Sequence, residues 1–219
     1  MINLLRQSDY FNPLDIKEAV HIVGVGAVGS HVADAIARLG IEDIHIWDFD
    51  TVDEHNIPNQ LFNETDIGKT KIEAIEEKLL AINSDIKVTK HQKYTNEILK
   101  GFLFSCVDSI EVRATIYQNN EYNPELVAVF DTRIGLEDGQ VFSADWSKAE
   151  DIDNLLALSE FSHDEVEIPK SACGTKLAVL PTVRTTATYA VTNFINFIKS
   201  GELKRSIIFN PFNFLAKRY

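Results

Sequence analysis

Gly24-Val25-Gly26-Ala27-Val28-Gly29 has the spacing G-x-G-x-x-G and falls between an apolar run and an amphipathic stretch. Such a turn serves phosphate chemistry. Its first glycine permits a tight turn, its second lets an anion approach the backbone, and its third lets helix and strand pack closely. The helix N-terminus then offers free N–H groups and a positive dipole end to that anion. Asp48 lies 19 residues after Gly29, at the end of the next apolar run, where a carboxylate holds ribose hydroxyls. Turn and acid specify a nucleotide without saying which one. A nicotinamide dehydrogenase would show its next signals in a catalytic domain, and none follows. A dense polar stretch comes instead: Asp48-Phe49-Asp50-Thr51-Val52, Asn56-Ile57-Pro58-Asn59-Gln60 and Ile67-Gly68-Lys69-Thr70-Lys71-Ile72-Glu73, with Cys106-Val107-Asp108 beyond it.

Positioning these residues requires strands and helices in alternation. Residues 19–25 are largely apolar and read as a strand buried on both faces, the habit of parallel sheets. Val28, Val32, Ile36 and Leu39 follow at helical spacing, and Gly40 caps that helix. Residues 44–47 give the next strand and complete a βαβ unit. Ile72, Ile75, Leu79 and Ile82 mark a second helix. Residues 86–89, 101–107 and 126–131 read as further strands, with a helix over 110–119 between the last two. Residues 139–145 alternate like a half-exposed strand in a hairpin after Gly135. Ala187, Ala190, Val191, Phe194, Ile195 and Ile198 build a long helix ending at Gly201, and 206–209 form a last strand. This order predicts a doubly wound, Rossmann-like α/β fold, mostly parallel, with helices on both faces and an antiparallel extension. Residues 1–219 read as one domain, because no repeat, low-complexity tract or flexible linker divides them. The one compositional break, an acidic crossover segment over 149–176, has no Lys or Arg between Ala149 and Pro169 and reads as a solvated or mobile connection. The aromatic tail over 209–215 reads as a strand end folding back on the core.

Composition narrows the function. Apolar residues at 45% and charged residues at 25% are ordinary for a globular chain and exclude a disordered one. The net charge of −12 repels phosphate backbones, so nucleic acid is disfavoured as the main partner. Two cysteines, Cys106 and Cys173, exclude a disulfide scaffold and a four-cysteine zinc site. With no signal-like N-terminus, they suit a reducing, cytoplasmic setting. No apolar stretch approaches the length of a membrane span. The six histidines have no metal-ligand spacing and read as structural or exposed, His55 being the one placed to touch a nucleotide.

The ordered motifs over roughly 19–200 resemble the ThiF/MoeB and ubiquitin-activating-enzyme superfamily, whose members adenylate C-terminal glycines of ubiquitin-like proteins. The pattern there is a G-x-G-x-x-G turn, a D-x-D-x-V strand end, N-x-x-R-Q, a G-x-x-K helix start and a later C-x-D. The resemblance implies ATP and Mg²⁺ as cofactors, with Gly24, Gly26, Gly29, Asp48, Asp50, Asn56, Gln60 and Lys71 around the nucleotide. Lys71 would offset charge as pyrophosphate leaves, and Asp108 would supply a hard oxygen ligand to the metal. The plainer reading of Asp108 is a helix N-cap. Arg6-Gln7 resembles an N-terminal R-Q that crosses a homodimer to the partner's ATP. Cys173 resembles a crossover-loop cysteine able to take an activated acyl group as a thioester or persulfide, whereas Cys106 reads as core.

One departure matters most: Asn59 stands where the pattern has arginine, so a guanidinium for the phosphates is missing. Lys69, Arg113 and Arg184 are the candidate replacements. Paired CxxC motifs, a cysteine-bearing half-domain and a ubiquitin-fold extension are also absent, which makes this a minimal adenylation domain. The expected function is ATP-dependent adenylation of a carboxyl group, that of the C-terminal glycine of a small ubiquitin-like or sulfur-carrier protein, or of a peptide. The competing reading is a binding or partner subunit that lost chemistry with its arginine.

Overall fold

The computed structural model describes residues 2–160, 177–213 and 215–218. One eight-stranded sheet runs through it in the order β3-β2-β1-β4-β5-β6-β7-β8. The parallel part comprises β1 (Val20–Val23), β2 (Asp43–Trp47), β3 (Lys87–His91), β4 (Gly101–Ser105) and β5 (Leu126–Ile134). The antiparallel extension adds β6 (Gly139–Asp145), β7 (Ser206–Asn210) and β8 (Leu215–Arg218). The β5–β6 hairpin turns at Gly135, as the alternating pattern predicts. The chain leaves β1 towards β2 and β3, then returns to lay β4 on the other side of β1. Strand order therefore reverses between β1 and β4, and doubly wound sheets bind ligands at that crevice.

Alternation along each strand splits the core into two layers. Val20, Ile22, Phe104 and Phe130 pack beneath α1 (Ala27–Arg38), α2 (Lys71–Ile82) and α5 (Leu180–Ser200). Val23, Leu103, Val129 and Phe142 face α3 (Ile110–Asn120) and α4 (Ala149–Glu160). Neighbouring residues on one strand thus serve opposite layers, which is why β1, β4 and β5 read as largely apolar runs, whereas the edge strand β3 (KVTKH) does not.

Two elements differ from the sequence reading. Half of the acidic crossover is α4, a helix whose Ile152 and Leu155 are buried. Two of its acids are engaged: the Arg205 guanidinium lies 3.0 Å from Glu150 and 2.7 Å from Asp151. Residues 161–176, which include Cys173, lie outside the described residues. α5 begins at Leu180, seven residues before its apolar stripe, because Pro181 is tolerated in a first turn. The tail folds back as β8 against β7, the reading given to it from the sequence.

The second layer also holds a ladder of imidazoles. His21 pairs in register with His45, and Trp47 with His91. His45 Nδ1 lies 3.0 Å from His91 Nε2, and the Trp47 ring stacks on His91 at 3.7 Å. Burial, reinforced by the neighbouring His45, lowers the His21 pKa to about 4, and burial lowers those of His45 and His91. The unfolded chain therefore binds more protons, and stability falls as pH drops from about 6.5 towards 4. His21 alone contributes on the order of 3 kcal/mol to that loss. Urea midpoints should decline steeply through this window, and His21→Asn should flatten the decline. A midpoint independent of pH across it would contradict the ladder's neutrality.

Candidate nucleotide site

The glycine turn closes against the loop that leaves β4. Gly24 has φ +87°, and a Cβ there would lie 2.9 Å from the Cys106 carbonyl, so both conformation and space demand glycine. A Cβ at Gly29 would overlap the Gly24 carbonyl oxygen, which lets the first turn of α1 sit directly on the loop. Gly26 differs, because its position opens outward. The nearest atoms to a Cβ there are Gln60 Oε1 at 3.9 Å and Lys71 Nζ at 4.0 Å. A phosphate approaching the Gly26 backbone therefore meets a cation and an amide at van der Waals range.

Asp48 shapes this loop as well as facing the crevice. Its Oδ2 accepts the Val25 N–H at 2.9 Å, and its Oδ1 accepts the Asp50 N–H at 2.9 Å. Burial raises its pKa, while Lys71 and the two N–H groups act in the opposite sense. Each carboxylate oxygen keeps a lone pair for a ribose hydroxyl.

Lys71 is fixed by backbone pairing. Thr51 bridges Thr70 in an antiparallel contact, and the Lys71 N–H donates to the Asp50 carbonyl at 2.9 Å. Thr70 caps α2 in a reciprocal capping box with Glu73. Lys71 is thereby the first residue of α2 and only 7% exposed, with its Nζ 2.7 Å from Asp50 Oδ2. Gln60 Oε1 is buried and has no partner among the described residues. An orphaned amide oxygen, a buried ammonium and an open glycine fit the polar groups of a nucleotide.

Asn56 and Asn59 depart from the sequence reading. Asn56 is buried, and its Oδ1 accepts the Asp53 N–H at 2.9 Å, closing a capping box around residues 54–56. Its amide carbonyl shapes the loop. The Asn59 Nδ2 donates to the Ala178 carbonyl at 3.0 Å, tying the 56–60 loop to the chain entering α5.

Two of the three candidate replacement cations are engaged elsewhere. Lys69 Nζ pairs with Glu77 at 2.5 Å and Asp66 at 3.6 Å. Arg113 is buried: its Nη1 pairs with Asp131 Oδ1 and donates to the Ser105 carbonyl, and its Nη2 donates to the Val107 and Thr132 carbonyls. Arg113 is therefore a brace for the 105–108 loop, not a phosphate ligand. No local spacing signals this, because Asp131 comes from β5 through its register with Ser105.

Asp108 is exposed just beyond β4, and no hydrogen bond or ion pair engages its side chain among the described residues. Ser109, not Asp108, caps α3, its Oγ accepting the Val112 N–H at 3.2 Å. No cluster of three or more His, Cys, Asp or Glu among the described residues could hold a metal. One free carboxylate fits a Mg²⁺ that takes its other ligands from phosphates and water. Burial pushes the Cys106 thiol up to about 12, so it stays protonated and inert. His55 is exposed and pairs with Asp53 at 3.1 Å. Arg6 is exposed in an N-terminal turn tied to the far end of α1, where Gln7 Nε2 donates to the Leu39 carbonyl. It lies at the opposite end of that helix from its own glycine turn. No helix among the described residues is long and apolar enough to cross a membrane.

A model of the ThiF family matches residues 15–213. The chain is 30% identical over 118 residues to ubiquitin-like modifier-activating enzyme 5 of Caenorhabditis elegans, covering 46% of this chain and 28% of that protein. In fold it resembles E. coli MccB, solved with ATP, at a TM-score of 0.67 and 20% identity, covering 94% of this chain and 65% of that one. It also resembles E. coli tRNA N6-threonylcarbamoyladenosine dehydratase, TcdA, at a TM-score of 0.69 and 18% identity, covering 90% and 94%. The chain thus spans under a third of the curated relative it matches.

Proposed function

Because the chain belongs to the ThiF family, we propose that it adenylates a carboxyl group at the expense of ATP. The observation that carries this reading is the opening over Gly26, flanked by Lys71 Nζ and Gln60 Oε1. A simple dinucleotide cradle needs no buried ammonium beside its glycine turn, whereas a triphosphate that must lose pyrophosphate does.

In this reading a carboxylate oxygen attacks the α-phosphorus, the bond to the β-phosphate oxygen breaks, and pyrophosphate leaves with the electron pair. Gly24, Gly26 and Gly29 admit the phosphates to the start of α1, and Asp48 holds the ribose. Asp50 holds Lys71 in place through their ion pair, and Gln60 offers its amide. Lys71 offsets the charge gathering on the departing oxygens. Mg²⁺, held by Asp108, would neutralise phosphate charge when bound. The carboxyl group, by the resemblance, is the C-terminal glycine of a small ubiquitin-like or sulfur-carrier protein, or of a peptide; a relative named a ubiquitin-like modifier-activating enzyme and MccB, solved with MccA, are in line with this.

Cys173, by its resemblance to a crossover-loop cysteine, would take over the acyl group. Arg6 enters the site only if a second copy of the chain delivers it, so the working form is a homodimer. Light scattering at micromolar concentration checks this, and a monomer would remove Arg6 from the site.

Calorimetry tests the nucleotide itself. ATP should bind in preference to NAD, and Asp48→Ala should weaken ATP by roughly 1.5–3 kcal/mol, the range for a hydrogen bond to a charged group. A preference for NAD would overturn the adenylation reading.

A further inference from the structure

If the site takes ATP as proposed above, its phosphates meet a shortage of positive charge. Lys71 is already paired with Asp50, Lys69 with Asp66 and Glu77, and Arg113 with Asp131. A triphosphate binds where fixed cations outnumber the carboxylates that compete for them. Beyond the Mg²⁺ and the partner-delivered Arg6 of that reading, a further cation of this chain's own would have to come from another element, and the loop over 56–60 is tied to one.

That loop lies on the first turns of α1. Ser30 Oγ accepts the Leu61 N–H at 3.1 Å, and His31 Nε2 lies 3.3 Å from the Asn59 carbonyl oxygen. On its other side, Asn59 Nδ2 holds the Ala178 carbonyl, two residues before α5 begins. The start of α5 is therefore stitched to position 59, where the N-x-x-R-Q pattern that this segment resembles has arginine. Arg184 sits in the second turn of α5, exposed, with no ion pair among the described residues. Its charge reaches His31: burial first, and then the Arg184 guanidinium, lower the pKa of that imidazole. His31 in turn touches Asn59 and stands one turn along α1 from the glycines.

We propose that Arg184 is a phosphate-binding residue of this site, delivering from α5 the guanidinium that position 59 lacks. Asn59 then has a definite task. Its amide fixes the chain at Ala178 so that the second turn of α5 faces the crevice, and the neutral side chain leaves room for a long cation from the neighbouring helix. Arginine suits this place because its planar fork donates two parallel hydrogen bonds to phosphate oxygens.

Titration calorimetry with Mg·ATP and with AMP tests this in the full chain. Arg184→Ala should weaken ATP about tenfold, ~1.4 kcal/mol, and leave AMP unchanged, because AMP lacks the β- and γ-phosphates. Adding Asn59→Arg to Arg184→Ala should restore ATP affinity. The substitution is at an exposed position, and the circular dichroism spectrum should match wild type. If Arg184→Ala binds ATP as wild type does while Lys71→Ala binds it more weakly, Arg184 has no such role and the adenylation reading stands. Equal losses for ATP and AMP would assign Arg184 a structural part and overturn the proposal. A wild-type chain that binds no ATP would remove both readings together.

Discussion

Lys71→Ala is expected to cut ATP–pyrophosphate exchange by roughly 10²–10³-fold, the usual cost of removing one preorganised donor from a developing charge. The expectation rests on placement. Nζ sits 4.0 Å from the point where a Cβ on Gly26 would be, inside a nearly buried side chain whose backbone is locked to Asp50. A fixed, desolvated ammonium stabilises charge at the moment it forms, without first reorganising. The fold should survive. Asp50, the partner left behind, is half-exposed, so water can solvate it. Its ion pair with Lys71 therefore contributes little to stability, of order 1 kcal/mol or less. Exchange lost with an unchanged circular dichroism spectrum is the expected pair of results. Retained exchange would move the catalytic charge elsewhere.

The largest stability effect is expected at Asp131. Its carboxylate is wholly buried and lies between two guanidiniums, with Arg113 on Oδ1 and Arg133 at 2.9 Å on Oδ2. Asp131→Ala leaves two like charges facing each other in the core, and breaking such a pair costs about 3–5 kcal/mol. Chemical denaturation should show a midpoint displaced by that amount with an unaltered slope. The double substitution Asp131→Leu with Arg113→Met should recover part of it, since apolar pairs of similar volume tolerate the same space. A single variant within ~1 kcal/mol of wild type would mean that the carbonyls of Ser105, Val107 and Thr132 suffice to hold Arg113. The same brace carries Val107, next to Asp108, so under the proposed adenylation reading the variant should also weaken Mg²⁺ binding.

Much of the fold is legible in the sequence because β1, β4 and β5 and the helices α1 and α2 bury whole runs or clean stripes. The glycine turn, Asp48 and Lys71 are legible for a related reason. Each sits at an element boundary, where turn chemistry and capping residues leave a local mark. α4 escaped because Glu150, Asp151 and Asp153 mask the spacing of Ile152 and Leu155. Its acids are tolerated through Arg205, a residue 55 positions away that no local pattern connects to it. α5 starts early through Thr182, Val183 and Thr186, β-branched residues that argue weakly for helix but bury well here. Arg113 reads as a phosphate cation five residues after Asp108, and only the Ser105–Asp131 register reveals that it is taken. Asn59 likewise reads as a loss, until its bond to Ala178 shows which helix it holds.

ATP–pyrophosphate exchange by the wild-type chain, with synthetic peptides ending in Gly-Gly, tests the central claim most directly. Adenylation predicts exchange that requires the peptide's free C-terminal carboxylate and disappears when that carboxylate is amidated. No exchange with any Gly-ended peptide or carrier protein, or exchange indifferent to amidation, would contradict it.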